Sequence, residues 1–282
     1  MTFVTWGQNP WGQAIMTHAS WDLVYLSAAA GVLFMVVHAV YAWARPKAGW
    51  GPAAESGVGA TLPAQIERHG LGARLFHWVM AAAILALLVT AFLPIVGVHF
   101  AWVTLHWMAG VVLVASVLYH IIHTTVSLDV WSIWPTRLDV EDAWHRFRRA
   151  VGGTAPASRK PGKYPMNNKL YHAVLVVSGV IIIVTGLCMM VRVETPLWTR
   201  NPYLFSDQTW GVIYVLHGWA GIALVGLTLV HLYFALRPGN LWVTWAMIVG
   251  SISRRDYLAH HDPLLWVVTK SGQPGPGQKA VV

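Results

Sequence analysis

The chain has 282 residues, of which 56% are hydrophobic and 11% charged; a soluble domain carries about 25% charged residues, so an ordinary soluble fold is excluded and a membrane protein is expected. The single cysteine, Cys188, lies in an apolar run. It excludes disulfides, cysteine-held iron–sulfur clusters and covalent C-x-x-C-H attachment, and leaves fourteen histidines as the plentiful metal ligands. The net charge of +8 reads as loop charge that sets membrane topology rather than as a nucleic-acid surface, and the seventeen Trp suit the two membrane–water interfaces.

Taken in chain order, MTFVTWGQNPWGQ has no basic stretch ahead of an apolar core, so no cleavable signal peptide is expected. Five apolar stretches are long enough to cross a bilayer, which takes about 20 residues: 21–44, 75–98, 101–126, 170–192 and 211–236. Arg45, Lys47, Arg68 and Arg74 flank the 45–74 loop, and Arg137, Arg146, Arg148, Arg149, Arg159, Lys160, Lys163 and Lys169 crowd the 127–169 loop. Residues 1–20 have no Lys or Arg, and Arg192 and Arg200 are balanced by Glu194 and Asp207. The positive-inside rule then predicts an outer N-terminus and a cytoplasmic C-terminus, and five spans satisfy that parity. RLDVEDAWHRFRRA (137–150) reads as an amphipathic surface helix and 152–165 as a flexible linker. GNLWVTWAMIVGSISRR reads as a short interfacial helix, and the chain closes in a disordered tail.

An internal repeat emerges once the spans are placed. RLFHWVMAAAILALLVT (74–90) matches KLYHAVLVVSGVIIIVT (169–185), with His77 and His172 each thirteen residues before a threonine. The next span of each half carries a second pair: LHWMAGVVLVASVLYH holds His106 and His120, and LHGWAGIALVGLTLVH holds His217 and His231. The expected architecture is all-α: one additional helix, then a four-helix bundle of two repeated helix pairs related by a pseudo-twofold along the membrane normal. Fourteen residues separate paired histidines by roughly 21 Å along a helix and leave them about 40° apart around it. One histidine of each pair therefore lies toward the outer leaflet and the other toward the inner, on one side of the helix. An imidazole in hydrocarbon needs a partner, and an iron between two facing imidazoles satisfies both. Gly110, Ala109, Gly218, Ala220 and Gly221 leave room for a flat macrocycle, whereas Gly186 and Gly226 read as helix-packing positions. His106 and His217 are the intramembrane histidines near the outer surface and should share one haem. On the inner side His77, His120, His172 and His231 could hold one haem with two spare histidines, or two haems.

These motifs resemble the transmembrane cytochrome b subunits of bacterial respiratory oxidoreductases: the formate dehydrogenase gamma subunit, the thiosulfate reductase cytochrome b subunit and the nickel–iron hydrogenase cytochrome b. The matching segments are RLFHW, LHWMAG, KLYHAVL with VTG, VLHGWAG through VHLYFALRPGN, and HHDP, between Arg74 and Trp266. The additional first span, with MVVHAVYAWARPK, looks most like the thiosulfate reductase branch. The resemblance implies haem b, an outer haem on His106 and His217, and an inner haem on His77 and His231. It also implies electron flow between the iron–sulfur and catalytic subunits of an extracytoplasmic partner and a quinone near the inner haem. On this reading residues 1–46 form a periplasmic segment and the additional span. Residues 70–262 form the cytochrome b domain with its cytoplasmic 127–169 loop, and 263–282 a cytoplasmic tail. The setting is the bacterial inner membrane, with no nucleic-acid partner.

The sequence departs from that family in two places. KYPMNNKL puts Pro165 and Asn168 where the family carries polar quinone contacts. His120 and His172 stand where relatives are apolar, so a third haem is set against hydrogen bonds to quinone, propionate or backbone. Asn168, Lys169, Arg74 and His38 are candidate quinone or propionate contacts. No nucleotide loop or nucleophile constellation accompanies them, so substrate chemistry is expected in a partner subunit. The alternatives are a haem-poor anchor that docks a catalytic subunit, and a transporter of inverted repeats, which two same-sense units oppose.

Overall fold

The computed structural model describes residues 3–20, 22–44, 62–128 and 130–269. Arg45, Lys47 and the tail from residue 270 onward lie outside the described residues.

Five helices are long and apolar enough to cross a membrane. They are α1 (Asp22–Ala44), α2 (Leu71–Phe92), α3 (Trp102–Ser127), α5 (Met166–Met190) and α6 (Asp207–Leu236), with the surface helix α4 (Arg137–Ala150) between α3 and α5. Their flanks stay apolar where they face outward: α1 exposes Leu33, Val36, Val37 and Val40, a surface that soluble monomers avoid and lipid accommodates. The chain is a multi-pass membrane protein.

Three of the helices begin four residues ahead of the hydropathy pattern. Hydropathy marks the lipid-embedded stretch, while the first turn is set by backbone chemistry. α5 starts directly after Pro165, whose carbonyl accepts from the Lys169 amide at 3.2 Å, and carries the polar Met166–Lys169 turn. α6 starts after Ser206, whose hydroxyl accepts from the Thr209 amide at 3.3 Å, with Asp207 in its first turn, where an acid favours the positive helix end. α2 opens at Leu71 and stops at Phe92, six residues earlier than expected, because Pro94 starts a separate 3₁₀ turn.

The described chain divides into two units. The first comprises Met1–Ala39, Met80–Ala115 and Val174–Tyr233. It opens with an antiparallel hairpin that the sequence reading did not foresee, β1 (Val4–Gln8) and β2 (Ala14–Ala19). Its turn is built by Asn9, whose side-chain oxygen accepts from the amides of Trp11 (3.0 Å) and Gln13 (2.9 Å), and by Gly12 at φ +78°. The Asn-Pro dipeptide was the available signal. Small residues let α1 meet α6: a Cβ on Gly226 would stand 2.9 Å from the Ser27 hydroxyl, and one on Gly31 3.5 Å from Leu229. The Ser27 hydroxyl donates to the Ile222 carbonyl at 2.9 Å, and His38 Nδ1 bonds Tyr233 Oη at 3.0 Å. The packing role read for Gly226 thus matches its surroundings.

The second unit comprises Val40–Val79, Ser116–Ala173 and Phe234–Val282. Among the described residues, every Lys and Arg except Arg192 and Arg200 falls in it. α4 has the predicted bounds and carries a capping box: the Thr136 hydroxyl accepts from the Asp139 amide, and the Asp139 carboxylate accepts from the Thr136 amide at 2.8 Å. The interfacial helix α7 (Leu241–Val249) stops at Gly250, whose φ of +92° is left-handed. β4 (Ser251–Ser253) then pairs with β3 (Gln65–Glu67), and α8 (Arg254–His260) follows. Leu62, Ile66, Ala246, Ile252, Tyr257 and Trp266 form the core beneath this two-stranded sheet. Because Trp266 is only 4% exposed, packing continues past residue 262, where a tail was expected to begin. The 152–165 segment is irregular as expected but tied down. Arg149 donates to the Pro156 carbonyl at 2.8 Å, Lys160 to the Leu258 carbonyl at 2.6 Å, and the Asp262 amide to the Pro161 carbonyl at 2.9 Å.

Lys169 Nζ reaches the same Asp139 carboxylate at 2.7 Å. Burial alone would raise the Asp139 carboxyl, but the bonds from Lys169 and Thr136 outweigh it and hold it below the usual carboxylate range. Its contribution to stability is therefore full above the usual carboxylate range and is lost as pH falls from that range through its own lowered value. Asp139→Asn is expected to cost about 1–2 kcal/mol at pH 7 and less near pH 3. Thermal melts at the two pH values check this; an equal loss at both would exclude the ionised cap.

Candidate functional site

His106 lies near the start of α3 and His217 within α6, both half-buried in the first unit. Their ring centroids are 6.2 Å apart with an interplanar angle of 67°. Each ring is held from behind by a threonine of the preceding helix. Thr90 Oγ1 lies 2.8 Å from His106 Nδ1, and Thr185 Oγ1 lies 2.9 Å from His217 Nδ1. These hydroxyls already donate backward within their own helices, Thr90 to the Ala86 carbonyl at 2.7 Å and Thr185 to the Ile181 carbonyl at 2.6 Å. A hydroxyl has one hydrogen, and a carbonyl can only accept. Each threonine must therefore accept from Nδ1–H, which leaves both Nε2 atoms as lone-pair donors.

That arrangement fits a bis-imidazole metal site. An imidazole nitrogen bonds a transition metal at about 2 Å and the ring centre lies ~1 Å behind it, so two rings on one metal stand about 6 Å apart. A single nitrogen–metal bond would leave each ring free to rotate, so an interplanar angle of 67° is compatible. Room exists as well: a Cβ on Gly110 or on Gly218 would meet nothing within 4 Å. Gly186, read from sequence as helix packing, lets α5 approach the His217 ring of α6, since its Cβ would stand 3.3 Å from His217 Cε1.

The other candidates are less alike. His77 sits edge-on to Trp78, with centroids 5.2 Å apart, in the second unit; His231 belongs to the α6 stretch of the first unit. The structure thus brings His106 and His217 together, and describes His77 and His231 each in its own surroundings. His120 stacks on Phe76 at 4.2 Å and 11°. His172 meets Trp134 edge-on at 6.3 Å, and its Nδ1 is buried with no hydrogen-bond partner among the described residues. Asn168 is half-buried one turn before it on α5. Lys169 is taken by Asp139, His38 by Tyr233, and Arg74 donates to the Ile248 carbonyl at 2.5 Å.

Sequence reading missed the role of one group and the burial of another. Thr90 and Thr185 served only as landmarks of the repeat, although their shared place in both halves was the signal. The second group centres on Arg68, 3% exposed. Its guanidinium donates to His261 Nε2 and to the Lys163 carbonyl, both at 3.1 Å, and lies 5.8 and 5.4 Å from the rings of Trp242 and Trp266. His261 Nδ1 in turn donates to the Gly162 carbonyl at 2.7 Å. Burial first, then Arg68, pushes His261 down to about 3. Burial followed by Arg68, Lys163, His77 and Arg74 pushes His69 down to about 2. Both imidazoles stay neutral at physiological pH.

A search of curated proteins returns no match. The sequence profile described as prokaryotic cytochrome b561 matches residues 68–250, which spans α2 through α7 and both threonine–histidine pairs. The chain belongs to the prokaryotic cytochrome b561 family, the cytochrome b family of hydrogenases and formate dehydrogenases, and is a membrane b-type cytochrome of respiratory electron transfer.

Proposed function

We propose that the protein is the membrane-anchor subunit that carries electrons between a periplasmic oxidoreductase and the quinone pool through two haems b. The observation that carries this reading is the threonine-locked pair of His106 and His217, whose two free Nε2 atoms suit an outer haem. The resemblance, not the geometry, assigns the inner one to His77 and His231. Bound between such imidazoles, haem iron carries one electron at a time by cycling between its ferric and ferrous forms. His217 and His231 space the two sites roughly 21 Å apart along α6.

The concentration of Lys and Arg in the second unit supports a periplasmic N-terminus and a cytoplasmic C-terminus. On this reading residues 1–46 are the periplasmic segment with the additional span, and 70–262 the cytochrome domain. An iron–sulfur subunit of a hydrogenase or molybdenum enzyme would dock on the periplasmic side, and substrate conversion belongs to that partner.

His120 and His172 hold no third haem in this reading. A ligating histidine almost always donates its other ring nitrogen to a partner, and the Nδ1 of His172 has none among the described residues. With its hydrogen on Nδ1 the ring suits a quinone carbonyl instead, with Asn168 one turn away on the same face. Protons for quinone chemistry then come from the cytoplasmic side.

Haem extracted from the purified full-length chain should give two haems b per polypeptide and a reduced-minus-oxidised spectrum of the bis-histidine type. A ratio of three would assign the third haem to His120 and His172. A ratio near zero with intact partner docking would favour the haem-poor anchor.

A further inference from the structure

We infer that Thr90 and Thr185 fix the tautomer of His106 and His217 and set their electron donation, and so hold down the reduction potential of the haem the pair carries. This rests on the reading of those histidines as axial ligands. Each hydroxyl is committed as a donor to a carbonyl of its own helix, Thr90 to Ala86 at 2.7 Å and Thr185 to Ile181 at 2.6 Å. The only role left toward the ring is acceptance, at 2.8 Å for Thr90 and 2.9 Å for Thr185. The hydrogen is thereby pinned on Nδ1, and Nε2 is kept as the ligating atom. Accepting from Nδ1–H also pushes electron density into the imidazole and raises the basicity of Nε2, which favours ferric over ferrous iron. Because the two threonines occupy equivalent positions of the repeat, both axial ligands of one haem receive the same push. The device differs from general haem-pocket polarity in being borne by two identifiable oxygen atoms that reach no other ring in the described site.

The test uses the full-length protein in detergent, with a redox titration of each haem band and a haem-retention assay. Thr90→Val and Thr185→Val keep the shape and remove the acceptor; Thr90→Ser and Thr185→Ser keep the acceptor and remove a methyl. Each Val variant is expected to move one haem toward the ferrous form by about tenfold in its redox equilibrium, or ~59 mV for one electron. Haem retention should fall by about tenfold or more. The Ser variants should titrate like the native chain. Val variants that match the native potential and retention, with Ser variants that do not, would reduce the threonines to packing residues and overturn the inference. His106→Ala and His217→Ala separate the two levels. If both keep two haems, the ligand reading fails and the inference falls with it. If each loses one haem while the Val variants titrate normally, the inference alone fails.

Discussion

Replacing His217 with alanine is expected to remove one of two haems while leaving the chain folded. The ring is bordered by Gly186, at 3.3 Å from where its Cβ would stand, and is hydrogen-bonded by Thr185. Taking the imidazole away orphans no donor, because the Thr185 hydroxyl still bonds the Ile181 carbonyl. The helix around the site is long and apolar, so the loss is a local cavity, which costs about 2–5 kcal/mol when a large core side chain is cut to alanine. A haem held by His106 and His217, by contrast, would lose one of its two protein ligands. Even an outer hydrogen-bonding partner of a ligand is worth 10–100-fold in metal affinity, so losing the ligand itself should cost at least ~100-fold in quinone-linked electron transfer. The haem-to-chain ratio should fall from two to one, and His106→Ala should give the same result, since the two rings are equivalent members of the repeat. A histidine variant that kept both haems would remove the pair from the electron path.

The five spans were legible because lipid demands long apolar runs, and no compact alternative competes with that signal. The histidine spacing was legible for the same reason: a polar ring inside such a run needs an explanation, and the repeat supplied four correlated ones. What escaped was chemistry written in residues that lipid tolerates. Thr90 and Thr185 are ordinary in a membrane helix, where a hydroxyl can bond its own backbone, so nothing in their composition advertised that they also face a ring of the next helix. The hairpin at residues 4–19 was hidden in a stretch read only as a periplasmic segment without Lys or Arg; its turn depends on Asn9 closing two backbone amides. The first turns of α5 and α6 were missed because caps are set by Pro165 and Ser206, outside the hydropathy window. From the sequence Arg68 is one of the basic residues of the 45–74 loop, and only the fold reveals it 3% exposed between two tryptophans.

That burial makes Arg68→Ala the most damaging change expected outside the histidines proposed to hold haem. The guanidinium spans three segments at once: it donates to Lys163 in the 152–165 region and to His261 after α8, and it lies over Trp242 of α7 and Trp266. Among the described residues no carboxylate pairs with it, so its hydrogen bonds and ring contacts carry the burial, which pushes its own pKa down. Truncation leaves the Lys163 carbonyl and His261 Nε2 without a donor, at about 1–3 kcal/mol each, and opens a gap between two aromatic rings. A loss of about 3–5 kcal/mol follows, enough to melt the loop core of the second unit. Lysine cannot rescue it, since one ammonium does not reproduce the fork that serves two acceptors. The native protein should also be acid-labile in this region. The unfolded state takes up protons on His69 and His261 as pH falls below about 6.5, while the folded state holds them neutral until about 2 and about 3. Stability is therefore full above pH ~6.5 and declines by ~1.4 kcal/mol per pH unit for each histidine below it. Thermal melts at a series of pH values should show that slope in the native chain. They should show a shallower one in His261→Gln, which removes one of the two titrating groups. A native melting temperature that stays flat from pH 7 to pH 4 would mean that these two histidines titrate alike in the folded and unfolded states.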